Sequence, residues 1–188
     1  SIGEVSCLSI NPMKTLASHG EGGAILTDEE DIANFARRFR YQGMEAGSIK
    51  ELGLNARMET LQASITLVNL SKYENIIERK RSLAHFYNEK LYKYLEIPTE
   101  DKLEQHTYFS YQILTKGRDA LKKFLEARNI ETQIQHYPLM PHTLPFSDCK
   151  TTCLLKAKSI AESSLCLPCH EKLSQEEIDT IVYEVERY

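Results

Sequence analysis

Lys14 stands in the stretch NPMKTLASHGEGG, residues 11–23, which carries three glycines among its last four residues. A lysine beside a glycine-rich loop suggests phosphate, but a P-loop runs glycines first and then Lys-Ser/Thr at a helix start, the reverse of the order here. A lysine held between two strands has another use. If it is desolvated, its amine loses its proton more readily and can attack a carbonyl to form a Schiff base. Most lysines are solvated surface charges, so Lys14 taken alone does not decide the matter.

Five cysteines offer a second chemistry. Cys149, Cys153, Cys166 and Cys169, with His170, make a candidate zinc set, and CLPCH alone matches the Cys-x-x-Cys-His pattern of covalent haem attachment. Against zinc, the C-x3-C half has unusual spacing for a knuckle. Against haem, attachment needs an exported compartment, and SIGEVSCLSI has neither a basic region nor a long apolar one. The expectation is reduced cytoplasmic thiols packed as small apolar residues, with no metal site.

These groups need a scaffold. With 188 residues, 41% apolar and 27% charged, the chain suits one sizeable core or two small ones. A formal charge of −4 gives no broad footprint for nucleic acid, and no apolar run approaches the roughly 20 residues of a membrane span. Residues 4–10 (EVSCLSI) read as a strand leading into the lysine loop, and 24–27 (AILT) as a second strand. Thr27 to Glu30 fits a capping box for a helix to about Tyr41, with Ile32, Phe35, Ala36 and Phe39 recurring at helical spacing, Arg37, Arg38 and Arg40 at a solvated end, and Gly43 as a stop.

From 58 to 95 a helical pattern without Pro or Gly carries an apolar stripe, from Leu61, Ile65 and Val68 to Tyr87, Leu91 and Tyr94. Its length implies either a break near Ser71 or a spine between two lobes. Residues 108–115 read as a strand, 118–128 as an amphipathic helix with Leu121, Phe124 and Leu125 inward, and 131–137 as another strand. A proline-broken loop, HYPLMPHTLPF, then precedes two helices. The last of these opens on a capping box at Ser174 and has Ile178, Ile181, Val182 and Val185 as its core face.

The ordered stretches SINPMK, GEGGAILT, GLNARMETLQASI, HYPLMPHTLPF and LCLPCHEKLSQEEID resemble the DegT/DnrJ/EryC1/StrS family of pyridoxal-phosphate-dependent sugar aminotransferases, over essentially the whole chain. The resemblance implies that Lys14 is the Schiff-base lysine, which also moves a proton once an incoming amine has displaced it. Ser9 contacts the phosphate of pyridoxal 5'-phosphate, and Asn55 reaches the phosphate of a neighbouring subunit's cofactor, so active sites are shared across a homodimer. Arg57 either shapes that site or forms a structural salt bridge. His136, Tyr137 and His142 fall in the loop that meets the nucleotide-sugar. Cys166 stands at the family's usual serine, in a strand or turn without metal ligands. Departures are Ile10 for an aromatic residue and Ser64 for an alanine.

The implied fold class is α/β, a fragment of a fold-type-I pyridoxal-phosphate-dependent transferase. It comprises the end of the large domain (1–72) and a small α+β C-terminal domain with a long linking helix (73–188). The family's phosphate loop, stacking aromatic and pyridine-pairing aspartate do not precede Ser1, so the chain is expected to be inactive alone. The implied reaction carries an amino group from an amino-acid donor, glutamate by expectation, to a nucleotide-linked keto-sugar in amino-sugar or surface-polysaccharide biosynthesis. Retention of Lys14 argues against the related dehydratases, which carry histidine there. The rival readings are an inactive or regulatory family member, a metal or haem protein, and a fragment that only dimerises.

Overall fold

A short antiparallel pair anchors the first part of the chain: β1 (Ser6–Ser9) against β2 (Gly23–Leu26), with Ser6 opposite Leu26 and Ser9 opposite Gly23. The Ile10 N–H donates to the Gly22 carbonyl at 3.0 Å and carries the ladder one residue further. This computed structural model describes residues 3–188, which fall in two compact units, one up to Asn75 and the other Ile76–Tyr188.

Helix α1 (Glu30–Phe39) begins after Glu29, whose side chain does not cap it. The box expected at Thr27 does not form. The Thr27 hydroxyl donates to the Glu4 carbonyl at 2.6 Å and accepts from the Glu29 N–H at 3.0 Å, so it joins strand entry to helix entry instead. At the other end, Arg38 is not simply solvated: its guanidinium pairs with Glu51 at 2.7 Å and with Glu45 at 3.5 Å. That ties α1 to the small hairpin of β3 (Met44–Glu45) and β4 (Ser48–Ile49). The helix ends at Phe39 with Arg40 as its cap, ahead of Gly43; Gly43 has φ +71°, and a Cβ there would lie 1.7 Å from the Glu51 carbonyl oxygen, so glycine is needed where the chain turns into the hairpin.

The helical stretch after Met58 is broken at Ser71 and Lys72 into α2 (Thr60–Leu70) and α3 (Tyr73–Leu91). The expected apolar stripe divides with it. On α3, Ile77, Leu83, Ala84, Tyr87 and Leu91 are buried, whereas α2 buries none of its residues and leaves Leu61 and Leu67 about two-thirds exposed. Periodicity marked both helices as amphipathic, but only α3 finds a core among the described residues.

In the second unit, β5 (Tyr111–Leu114) and β6 (Ser164–Leu167) pair antiparallel, and isolated bridges at Glu96–Leu114 and Gln133–Cys166 extend the sheet on both sides. The strand expected over 131–137 is reduced to that single bridge. Asn129 (φ 60°) and His136 (φ 56°) take left-handed conformations on either side of it and turn the chain away. Helices α4 (Arg118–Glu126), α5 (Leu155–Ser163) and α6 (Gln175–Arg187) complete the unit. One apolar cluster joins α3, β5, α4, β6 and α6 through Tyr87, Leu91, Tyr111, Ile113, Leu121, Leu125, Leu165, Ile178 and Val182. The Ser174 box at the start of α6 is formed on both sides, and it holds the Glu177 carboxyl below the usual carboxylate range.

Two buried tyrosines of this core find partners for their hydroxyls, whereas the Ser164 hydroxyl, buried in β6, has none among the described residues. The Tyr87 hydroxyl donates to the Pro168 carbonyl at 3.0 Å, and Tyr111 to the Asn88 side chain at 2.6 Å; burial pushes both phenols up. The connection after α3 is fixed by Arg81, which forks onto both Glu100 oxygens at 2.6 and 3.1 Å and donates to the His106 carbonyl at 2.7 Å. The Glu100 carboxylate also accepts the His106 N–H.

Two outcomes are expected from these contacts. Arg81 first, and then the His106 N–H, lower the Glu100 pKa to about 2, so its contribution to stability is complete above a pH of about 4.5 and is lost as pH falls toward about 2. Urea midpoints measured from pH 6 to pH 2.5 should fall less steeply for Glu100→Gln than for the parent chain. In the first unit, a Cβ at Gly23 would lie 2.9 Å from the Leu8 carbonyl oxygen, whereas one at Gly3 meets nothing closer than 3.9 Å. Gly23→Ala should therefore destabilise by roughly 1–3 kcal/mol, as overpacking does, and Gly3→Ala should not, read by chemical denaturation.

Candidate active site

The lysine loop is closed at its neck by the β1–β2 ladder. Inside that neck, the Asn11 side-chain amide donates to Glu21 at 2.9 Å, while its oxygen accepts the Met13 N–H at 2.8 Å. The Lys14 N–H donates to the Asn11 carbonyl at 2.9 Å, so the chain turns sharply just where the lysine is displayed. Ser18, almost completely buried, turns the returning limb inward: its N–H and hydroxyl both donate to the Ile10 carbonyl, at 2.8 and 2.9 Å, and its hydroxyl lies against the Gly20 carbonyl.

Glycine serves this loop through close approach. Neither Gly22 nor Gly23 needs a left-handed backbone; a Cβ at Gly22 would meet the Met58 methyl at 2.9 Å and the Ile10 side chain at 3.0 Å. Ile10, the residue that departs from the family's aromatic, is buried in that contact. The GLNARMETLQASI stretch and the rest of α2 therefore run past the lysine loop, with Met58 against Gly22, the Gln62 side chain accepting the His19 N–H at 2.9 Å, and, beyond the stretch, Asn69 donating to the Ala17 carbonyl at 2.7 Å.

Lys14 itself is exposed, so the burial expected of a nucleophilic lysine is not supplied by this chain's described residues. The loop supplies position instead. Ser9, also exposed, sits at the end of β1 opposite Gly23, five residues before the lysine on the same hairpin. Asn55 is exposed and bridges to Tyr41 in the backbone, and Arg57 lays its guanidinium carbon 4.3 Å from the centre of the Tyr41 ring. Among the described residues Arg57 makes this ring contact and no ion pair.

The other three expected residues belong to the second unit. His136 and Tyr137 are exposed, with the Arg118 guanidinium carbon 5.0 Å from the Tyr137 ring centre. Arg118 is buried and donates to the Ala161 carbonyl at 2.6 Å, so it is a fixed platform for the tyrosine. His142 closes the first of two short 3-10 turns, Met140–His142 and Leu144–Phe146, in a loop whose prolines promised no regular structure. The structure thus groups Lys14, Ser9, Asn55 and Arg57 in the first unit and His136, Tyr137 and His142 in the second.

Cysteine chemistry takes a different form. Cys166 lies buried in β6 and Cys169 is half-buried after Pro168, where desolvation pushes its thiol up to about 11. Cys7, Cys149 and Cys153 are exposed. Among the described residues, no group of three or more His, Cys, Asp or Glu is placed to hold a metal ion. Asn11, Ser18, Gln62 and Asn69 were missed as site-forming residues by the sequence reading, because each acts on backbone or on a distant residue. The only signal for Gln62 was its place in a motif block.

The DegT/DnrJ/EryC1/StrS aminotransferase family model matches residues 1–186. Across its whole length the chain is 28% identical to the dTDP-3-amino-3,6-dideoxy-alpha-D-galactopyranose transaminase of Aneurinibacillus thermoaerophilus, of which it covers 52%. It is equally 28% identical, again over its whole length and 52% of the relative, to a pleiotropic regulatory protein of Geobacillus stearothermophilus. Among solved structures, DesV of S. venezuelae in complex with a ketimine intermediate superposes with a TM-score of 0.92 at 26% identity, covering 98% of this chain and 52% of DesV. The chain spans about half the length of the curated relatives it matches. The fold is that of one half-length portion of a fold-type-I, mixed α/β transferase. The chain belongs to the DegT/DnrJ/EryC1/StrS aminotransferase family.

Proposed function

We propose that this chain provides the cofactor lysine and part of the phosphate site of a pyridoxal-phosphate-dependent aminotransferase acting on a nucleotide-linked keto-sugar. The carrying observation is Lys14, displayed on a loop closed at its neck and hydrogen-bonded along its returning limb, in a chain of this family. The donor set fits an aldehyde phosphate. It offers a primary amine for the carbonyl and, on the same hairpin, the Ser9 hydroxyl for the phosphate. Bound there, pyridoxal 5'-phosphate supplies an aldehyde that condenses with amines and a ring that draws electron density from the amine-bearing carbon.

The chain's own residues then have distinct tasks. Lys14 Nζ would hold the cofactor's aldehyde carbon and, as a free amine, would be the base that carries a proton from the carbon bearing the donor's amine. Ser9 donates to a phosphate oxygen. Asn55 acts on the phosphate held by a second copy of the protein in a homodimer, and Arg57, held on Tyr41, shapes that shared site. His136, Tyr137 and His142 contact the nucleotide-sugar, with Arg118 holding the tyrosine ring. An amino acid supplies the amino group, and the work belongs to cytoplasmic amino-sugar biosynthesis. The Aneurinibacillus thermoaerophilus transaminase supports the substrate class, and the ketimine intermediate bound to DesV supports imine chemistry.

A second reading follows from the Geobacillus stearothermophilus relative: a regulatory member that keeps the fold without transamination. One experiment separates the two. In the natural protein that carries this chain, borohydride added with pyridoxal phosphate is expected to leave a phosphopyridoxyl group on Lys14, read by peptide mass spectrometry. Lys14→Ala should remove the label and lower transamination roughly 10^3-fold. Absence of label and of amino transfer from the parent protein would favour the regulatory reading.

A further inference from the structure

We propose that Gln62 and Asn69 are positioning residues for Lys14, a two-point clamp by which α2 holds the returning limb of the lysine loop. The inference rests on the reading of Lys14 as the cofactor lysine. The two side chains stand seven residues apart, two helical turns, and so share one face of α2. The Gln62 oxygen accepts the His19 N–H at 2.9 Å, and the Asn69 amide donates to the Ala17 carbonyl at 2.7 Å.

One acceptor and one donor thus bracket Ser18, whose own N–H and hydroxyl bind the Ile10 carbonyl at the end of β1. The limb is fastened on one side to the strand and on the other to the helix. Gly20 leaves room for the Gln62 side chain, since a Cβ there would lie 3.3 Å from its amide nitrogen. No residue of α2 is fully buried, although Ala63 and Ile65 are half-buried, and the two polar bonds are what tie the helix to named atoms of the limb.

The consequence for chemistry is geometric. With the clamp released, the neck stays closed by the Ile10–Gly22 and Asn11–Glu21 bonds, but the tip carrying Lys14, three residues before Ala17, pivots on it. An amine that samples more positions spends less time in the one that meets a carbonyl, and small misplacements cost rate steeply.

The natural protein is compared with Gln62→Leu, Gln62→Glu, Asn69→Leu and Asn69→Asp. Hydrogen exchange at the His19 amide and the rate of borohydride-trapped phosphopyridoxyl labelling of Lys14 are the two readouts, with the thermal midpoint as a check on folding. Gln62→Leu should speed His19 exchange about tenfold, the upper range for one ordinary hydrogen bond, and slow labelling by a similar factor. Gln62→Glu, which keeps an acceptor, should restore both. Asn69→Leu and Asn69→Asp, which lack the donor, should slow labelling likewise. The Asp variant keeps nearly the native volume and serves if the Leu variants unfold. Unchanged His19 exchange in Gln62→Leu, or faster exchange with labelling at the parent rate, would overturn the clamp. A parent protein that takes no label on Lys14 overturns the cofactor reading and the positioning role with it, a failure kept distinct by the exchange readout.

Discussion

The approach of β1 to β2 at Gly22 and Gly23 governs the lysine loop. Closing a loop of this length costs conformational entropy that the neck must offset. It does so with the Ser9–Gly23 pairing, the Ile10–Gly22 hydrogen bond and the Asn11–Glu21 contact. A side chain at either glycine would push the strands apart, against the Leu8 carbonyl in one case and against Ile10 and Met58 in the other. Everything at the tip inherits its position from that constraint. The buried Ser18 extends it inward, and the sharp turn at Asn11 extends it outward to Lys14.

The two units meet the same physical demands in different ways. In the second, apolar side chains from three helices and two strands converge on a single cluster, and its buried tyrosines hand their hydroxyls to a backbone carbonyl and an asparagine. In the first, hydrogen bonds between loops and side chains carry much of the organisation, while apolar residues of β2 and α2 remain exposed. A buried core tolerates few alternatives. A loop held by polar contacts depends on each one individually, which is why single glutamine and asparagine side chains matter there.

What the sequence disclosed follows the same division. The Ser174 pattern became a capping box, yet the equally suggestive Thr27 pattern did not, because the Thr27 hydroxyl found the Glu4 carbonyl 23 residues away. Helical periodicity located α2 and α3 and allowed for a break near Ser71, but period alone cannot say whether an apolar stripe meets a partner. The strand over 131–137 was misread for a local reason: left-handed residues at Asn129 and His136 are invisible in a pattern of hydrophobic alternation. Lys14 and Ser9 stood out by motif order. Gln62 and Asn69 did not, since their partners are backbone atoms 43 and 52 residues distant.

Placing an amine and making it reactive are separate physical tasks. Placement needs a closed neck, a fixed limb and a turn, all of which this chain contains within its first unit. Reactivity toward a carbonyl at neutral pH needs exclusion of water or nearby charge. Lys14 is exposed, and the apolar faces of β2 and α2 in its own unit are exposed with it. The lysine loop is therefore complete as a positioning device. In the proposed reading of Lys14 as the cofactor lysine, its placement and its shielding from water are thus separate requirements, and the described residues of this unit meet the first.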